Sequence, residues 1–503
     1  MLEVRGIGYF WSTAVSLPCL LTNINVIGDY LCDVLSLHWD PAVSASVLFD
    51  PDLIRRFDVP GPRYTSYPTA DRFLGELGSQ EVVDQLSLRA RKKSPHPLSL
   101  YFHIPFCNTI CYYCACNKII TKDRGVSERY LNYLEREMDL VTAALGDDRL
   151  VSQMHWGGGT PTFLPASDVS RLIAAIKSRF QLQEAGEYSI EIDPRKVSAE
   201  TVQMLADHGF NRMSLGIQDF DPAVQRAVNR TQTVDETVLV MKAARESGFR
   251  SVSVDLIYGL PLQTQERFAR TLDIVLSMTP DRLSLYNYAH LPTRFMPQRR
   301  INAADLPDPE EKLAILAMAI EKLGAAGYVY IGMDHFARPD DELAIAQRQG
   351  SLQRNFQGYS TYAECDMLGF GVSSIGRVDG LYIQNQREID HYYAALDAGV
   401  LPVMRGWRMS EDDRLRASVI QTLMCNFRLS VPEFEQRMGR RFNEVFAQEL
   451  DELTSLADAG LVELSDDALV VTMRGRMLVR IVAMVFDAHL RADRAQRRYS
   501  RVI

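Results

Sequence analysis

From residue 98 onward, short runs rich in β-branched and aromatic residues alternate with longer stretches of helical periodicity. Seven runs have the length and composition of strands: 98–104, 151–156, 188–192, 212–217, 251–257, 282–288 and 328–332. The clearest helix start is Asp308-Pro-Glu-Glu311, with Asp as N-cap, Pro at the first helical position and Glu three residues after the cap. That helix is expected to end at Gly324, a residue suited to a left-handed terminus. Ser127 and Ser198 offer weaker N-caps for two earlier helices. Repeated strand–helix units predict an α/β fold with a parallel sheet and right-handed crossovers. Six or seven units in roughly 235 residues fit a TIM-like (β/α) barrel, partial or complete, better than a doubly wound sheet, although the pattern alone admits both.

Past residue 401 this rhythm stops. Residues 410–427, 432–438 and 442–457 read as helices, 461–464 and 469–472 as a hairpin, and 477–490 as one long helix with an apolar face. Helices followed by a hairpin resemble a winged helix, which often binds DNA; a helical cap over the barrel mouth is the preferred reading. The first fifty residues differ from the rest, being apolar and aromatic without a sustained period. Pro18, Asn23, Asn25 and Asp29 interrupt any secretion signal or membrane span there. The expected division is an extension at 1–49 outside the native protein, its start site placed too early, then a barrel domain at 50–400 and a smaller, mainly helical, winged-helix-like domain at 401–503.

Composition narrows the class. Hydrophobic residues are 47% and charged residues 24% of 503, the balance of a soluble globular chain. The net charge of -9 argues against nucleic acid or an anionic membrane as partner. A cytoplasmic protein without a membrane span is expected. Eight cysteines are too few for a disulfide scaffold, yet four of them fall between positions 107 and 116.

In barrels of this kind, chemistry sits at the C-terminal ends of the strands. Here the first strand runs into the cysteine cluster, the second ends at Gly157-Gly158-Gly159-Thr160, and the next three end near Glu191 and Asp193, Gln218, and Asp255. Cys107, Cys111 and Cys114 form a CxxxCxxC with Cys116 just beyond. Three thiolates on one loop can converge on a soft metal centre. Zinc competes, but a structural zinc site takes four ligands, and no second Cys/His pair lies nearby. The spacing suits a [4Fe–4S] cluster with three protein ligands and a fourth iron open to substrate or cofactor. On spacing alone, zinc and inert thiols stay open.

His103-Ile-Pro-Phe-Cys107 with the CxxxCxxC, and Gly157-Gly-Gly-Thr-Pro161, resemble the radical S-adenosylmethionine (SAM) superfamily. Pro62-Arg-Tyr-Thr-Ser-Tyr-Pro-Thr69, the extra Cys116, Ser214-Leu-Gly-Ile-Gln-Asp-Phe220, Val228-Asn-Arg230, Asp255-Leu-Ile-Tyr-Gly-Leu-Pro261, Gly358-Tyr-Ser-Thr361 and Ser500-Arg-Val-Ile503 are similar, more narrowly, to the oxygen-independent coproporphyrinogen III oxidases. That resemblance covers roughly residues 50–503.

The resemblance implies that Cys107, Cys111 and Cys114 hold a [4Fe–4S] cluster. It implies that SAM, as one or two molecules, contacts Tyr101, Tyr113, Gly158, Gly159, Thr160, Glu191, Gln218, Arg230, Asp255, Ala289 and Ile375. Tyr101 and His103 take the catalytic roles, and Cys116 stays outside the ligand set. The implied reaction is radical decarboxylation of two propionates of coproporphyrinogen III to vinyl groups, giving protoporphyrinogen IX in haem biosynthesis. A one-electron donor such as flavodoxin and a monomeric state go with it. Arg63, Tyr64 and residues 357–359 are candidates for closing over the substrate. The rival is a haem-binding relative, a chaperone without decarboxylase activity; such relatives usually lack the Pro62–Thr69 segment and the cysteine after CxxxCxxC.

Overall fold

The computed structural model describes residues 47–92, 96–362 and 365–492. The expectations for the N-terminal extension and for Ser500–Ile503 therefore lie outside the described residues, apart from 47–49. All seven expected strands form. They are β1 (Leu98–Ile104), β2 (Leu150–Gly158), β3 (Gln181–Ile192), β4 (Arg212–Gln218), β5 (Ser251–Tyr258), β6 (Arg282–Asn287) and β7 (Val329–Gly332). Five more follow: β8 (His335–Ala337), β9 (Asp366–Phe370), β10 (Ile375–Val378), β11 (Leu381–Asn385) and β12 (Val403–Arg408). The twelve make one sheet in the order β12-β11-β10-β9-β1-β2-β3-β4-β5-β6-β8-β7.

The seven strands from β9 to β6 in that order are mutually parallel. Both flanks are antiparallel. Its two ends are not hydrogen-bonded to each other, so the (β/α) barrel is partial. The seventh expected strand is no continuation of the parallel series: β8 intervenes, antiparallel to both β6 and β7.

Period-two alternation explains how the sheet makes a site. Parallel strands covered on both sides are usually apolar on both faces. Here Ile190 and Ile192 on β3, Met213 and Leu215 on β4, and Val252 and Val254 on β5 are buried in the apolar core on the outer face. Their alternating neighbours Ser189, Glu191, Ser214, Ser253 and Asp255 line an inner cavity of about 160 Å³. The polar concave face lies inside the fold, ready for a ligand.

Asp308 caps the Pro309–Ala325 helix by accepting from the Glu311 amide, as the sequence predicts. Gly324 lies inside that helix, and Gly327 takes the left-handed conformation at φ 82°. Ser198 is an N-cap; Ser127 is not, since it sits one residue inside the Val126–Leu145 helix and donates to Arg124 O and Asp168.

In the C-terminal region, Ser410 caps the Glu411–Asn426 helix through a capping box with Asp413. The expected 442–457 helix divides into Phe442–Val445 and Ala447–Asp458. The expected 477–490 helix divides into Arg476–Leu478, Val479–Val485 and Ala488–Ala492. The hairpin forms and gains a third strand, Arg428–Ser430, that the pattern did not reveal. Among the described residues no helix is long and apolar enough to cross a membrane.

Candidate active site

β1 delivers the cysteine loop to the open end of the partial barrel. Phe106–Cys107 pairs in parallel with Ile119–Ile120, so the loop leaves and returns at one point. Its middle is pinned from the far wall: the Tyr112 amide donates to Val228 O at 2.9 Å, Asn229 Nδ2 to Ile110 O at 2.7 Å, and Gln298 Nε2 to Tyr113 O at 3.1 Å. Asn229 holds φ 54°, a conformation asparagine tolerates better than most residues. These ties bring Cys107, Cys111 and Cys114 to the wall of one cavity of about 300 Å³.

The same cavity is lined by Tyr113, Gly158, Gly159, Thr160, Glu191, Gln218, Arg230 and Asp255. Residues from six separate chain segments therefore converge there. Tyr101, His103, Ala289 and Ile375 are not on its wall. Ala289 lies two residues past β6, and Ile375 opens β10. Tyr101 pairs in register with Gly369, and a Cβ on Gly369 would stand 2.8 Å from Ile375 O. Tyr101 and Ile375 are thus neighbours on the inner face of the sheet, beside the cavity.

The glycine run behaves as its chemistry predicts at two positions. Gly158 has φ 111° and donates its amide to Glu191 Oε2 at 3.1 Å. A Cβ on Gly159 would lie 2.7 Å from the Pro105 carbonyl, with no side chain able to yield. The Gly159 and Thr160 amides bond back to Ile104 O and Phe106 O at 2.8 and 2.9 Å. Loop and cysteine segment are therefore one unit. Gln218, at the end of β4, holds φ 68° without being glycine, local strain of the kind found at ligand sites.

Electrostatics divide the cavity. Cys111 Sγ lies 3.6 Å from Arg230 Nη1 and 3.9 Å from Arg195 Nη2, so two guanidinium groups face a buried thiol. Both also bind Asp193, at 3.2 and 2.6 Å. Burial opposes the charge of Asp193, but Arg230 and Arg195 overcome it and draw its carboxyl down to about 2. Asp255 goes the other way: burial raises it to about 6, although the Ser214 hydroxyl donates to it at 2.7 Å. Burial pushes the Cys107 thiol up to about 11 against a 3.3 Å contact with Thr160. Cys114 is drawn down to about 6 by the Cys116 thiol, with Lys118 assisting.

His103 has a definite tautomer. Its Nε2 lies 2.9 Å from Asn117 O, and a carbonyl only accepts, so Nε2 carries the proton. Nδ1 must then accept from Tyr101 OH at 3.0 Å. The ring is buried against Gly158, and burial lowers its pKa, so it stays neutral. Residues beyond the expected set also belong to the site. Arg195 faces Cys111, and His155 stacks on Tyr101 at 5.9 Å and reaches Glu191 at 3.3 Å. Strand alternation could have found His155; nothing local marks Arg195.

The donor set can be tested against the implied groups. No three His, Cys, Asp or Glu side chains among the described residues are arranged to hold a single ion. A four-iron cube binds each thiolate at a different iron, so its ligands need not crowd one point. Three soft donors on one cavity wall suit it. Arg230 Nε is buried there without a partner. The residues fit a cluster together with an anionic, amine-bearing cofactor.

Comparison with known proteins agrees. Residues 101–275 match the Radical SAM superfamily and residues 409–478 the HemN C-terminal domain. The oxygen-independent coproporphyrinogen III oxidase of Pseudomonas aeruginosa is 52% identical over 461 residues, 91% of this chain and 99% of that protein. Its counterpart in Escherichia coli K12 is 47% identical, covering 93% of this chain and 100% of that protein. The solved structure of the Escherichia coli enzyme, described as a radical SAM enzyme, superposes with a TM-score of 0.84 at 46% identity over 88% of this chain and 100% of that one. With the cysteine loop, glycine cradle and C-terminal module all inside the matched span, the chain belongs to the oxygen-independent coproporphyrinogen III oxidase family of the radical SAM superfamily.

Proposed function

We propose that this protein converts two propionate side chains of coproporphyrinogen III to vinyl groups, releasing carbon dioxide and giving protoporphyrinogen IX without oxygen. The observation that carries the reading is the convergence of Cys107, Cys111 and Cys114 with Gly159, Glu191 and Arg230 on one cavity, in a chain similar over nine-tenths of its length to oxidases of that name. The bound cluster and SAM would supply a carbon radical able to take hydrogen from an unactivated C–H bond.

The chain's own residues position and shield. Arg230 supplies a fixed guanidinium for a carboxylate, and Glu191 an acceptor for an ammonium or hydroxyl group. Gly158 and Gly159 let the His103 ring and the Pro105 carbonyl pack directly against the glycine turn on the cavity wall. Tyr101 lies beside this wall on the inner face, its hydroxyl held by His103, which acts as a positioning residue. Recessed among the strand ends and the cysteine loop, the cavity limits water and keeps a reactive species from side reactions. We extend the proposal to a second SAM beside the first, a one-electron donor such as flavodoxin, a cytoplasmic monomer, and a barrel at 50–400 capped by the 401–503 module.

Anaerobic reconstitution followed by incubation with SAM, a reductant and coproporphyrinogen III should yield the divinyl product by chromatography. SAM cleavage with no vinyl product, accompanied by tight haem binding, would overturn the reading in favour of a haem carrier. His103→Ala should lower turnover about tenfold or more while leaving cluster absorbance unchanged, because freeing the Tyr101 hydroxyl costs alignment rather than chemistry. Unchanged anaerobic turnover would remove His103 from the site.

A further inference from the structure

A second cavity, of about 540 Å³, lies between the concave face of β9–β11 and the Glu411–Asn426 helix. Arg354, Arg377, Arg414 and Arg437 line it together with the rings of Phe356 and Tyr382, and no Asp or Glu is on its wall. Arg377, Arg414 and Arg437 are exposed. Arg354 is different. It is 7% exposed, its Nε and Nη1 are buried without a hydrogen-bond partner, and among the described residues no carboxylate pairs with it.

Local structure holds Arg354 in place. It lies in the Gln353–Asn355 strand, directly opposite Tyr359 in the antiparallel hairpin with Gly358–Ser360. Its guanidinium sits 5.2 Å from the Tyr359 ring centre, and its backbone carbonyl accepts from Gln421 of the Glu411–Asn426 helix. Tyr359, with Gln357 and Gly358, lines the inner barrel cavity. That cavity shares Glu191, Ser214, Asp255 and Tyr286 with the cavity of the thiols. Arg354 thus stands on the partition between the arginine-lined cavity and the inner barrel.

The surroundings are short of negative charge. Arg63, near Arg354, is matched by Asp334, and Arg480 spends its donors on the carbonyls of Gly61 and Pro62. His335 is pushed down to about 3 by burial and then by the charges of Arg354, Arg63 and Arg282. A buried guanidinium without a counter-charge is costly to the fold, and the stacking on Tyr359 offsets only part of that cost. Arg354 lines the cavity with its unpartnered Nε and Nη1 just beneath the wall, and a planar fork of this kind matches a carboxylate.

We propose that Arg354 is the buried carboxylate anchor for the tetrapyrrole. It binds a propionate that is not reacting, while Phe356 and Tyr382 face the ring and the three exposed arginines receive the remaining acid groups. The identity of the ligand rests on the function proposed above; the anchoring role rests on the geometry.

The test is fluorescence binding of coproporphyrin III, the stable oxidised ring with four propionates, to the full-length reconstituted chain. Arg354→Gln should weaken binding about tenfold or more, and Arg354→Lys should restore part of it. The tetramethyl ester of the same ring should bind the native chain weakly and lose nothing further in Arg354→Gln. Ligand-free Arg354→Gln should melt no lower than the native chain, since it loses an unpaired buried charge. Equal binding of coproporphyrin III by the two chains, or a marked fall in melting temperature, would overturn the assignment. If the native chain binds the ring through Arg354 yet forms no vinyl product, the proposed reaction fails and the anchor stands. If turnover proceeds with an unchanged KM in Arg354→Gln, the anchor fails and the reaction stands.

Discussion

Cys111→Ser is expected to yield a folded chain that retains no iron–sulfur cluster after anaerobic reconstitution and cleaves no SAM, whereas Cys116→Ser keeps both. The difference comes from placement. Cys111 is buried, and its Sγ lies 3.6 Å from Arg230 Nη1 and 3.9 Å from Arg195 Nη2 on the cavity wall. Cys116 is exposed and lies outside the CxxxCxxC. It lines the same cavity, so proximity alone does not exclude it. Serine is close to cysteine in size, so the fold should survive in both variants, and iron and sulfide content separates ligand loss from unfolding. Loss of the cluster in Cys116→Ser as complete as in Cys111→Ser would add Cys116 to the ligand set.

The second large effect lies away from the chemistry. Glu137, on the Val126–Leu145 helix, is buried. Its Oε2 accepts from the Gly371 amide at 2.8 Å and from Tyr392 OH at 2.6 Å, and its Oε1 from Asn385 Nδ2 at 2.5 Å. One carboxyl group thereby joins a helix, the turn after β9, the end of β11 and the Ile389–Asp397 helix. Glu137→Ala leaves two buried donors, the Gly371 amide and the Tyr392 hydroxyl, without an acceptor, while Asn385 Nδ2 keeps Gly371 O and Ser374 Oγ; the loss should cost about 3 kcal/mol.

Burial raises the Glu137 carboxyl to about 7, against the hydrogen bonds from Tyr392, Gly371 and Asn385. The folded state therefore keeps a proton that the unfolded state releases near its ordinary value. The resulting stabilisation is fully present below about pH 4.5 and is lost as pH rises through 7. In Glu137→Gln this component of the pH dependence should vanish, so the stability gap between native chain and variant narrows between pH 5 and 8. Superimposable melting profiles across that range would refute the assignment.

Much of the cofactor side was legible from the sequence because its signals are contiguous. The CxxxCxxC occupies one loop, the glycine run one turn, and each strand declares its faces by a period of two. The Pro309 and Ser410 helix starts were readable for the same reason, since a cap is satisfied within three residues. Errors of the same range came where a boundary depends on which neighbour takes the last free backbone group: Gly324 and Ser127 were each misplaced by a few residues.

What the linear pattern could not carry is pairing between distant segments. β9 begins 268 residues after β1, Leu98 pairing with Asp366, yet the two are parallel neighbours. The four strands from β9 to β12 extend an edge that local periodicity left as a plain barrel. Arg195 gains its meaning from Cys111, Glu137 from Gly371 and Asn385, and Arg354 from a cavity closed by a helix that begins 57 residues later at Glu411. The sequence by itself determined the cluster ligands' spacing, the parallel strands and the family, because those are properties of short segments. Only the tertiary structure decided the open sheet, the tautomer of His103 and the unpaired guanidinium of Arg354. Each of these depends on which distant group supplies, or fails to supply, a buried polar atom with its partner.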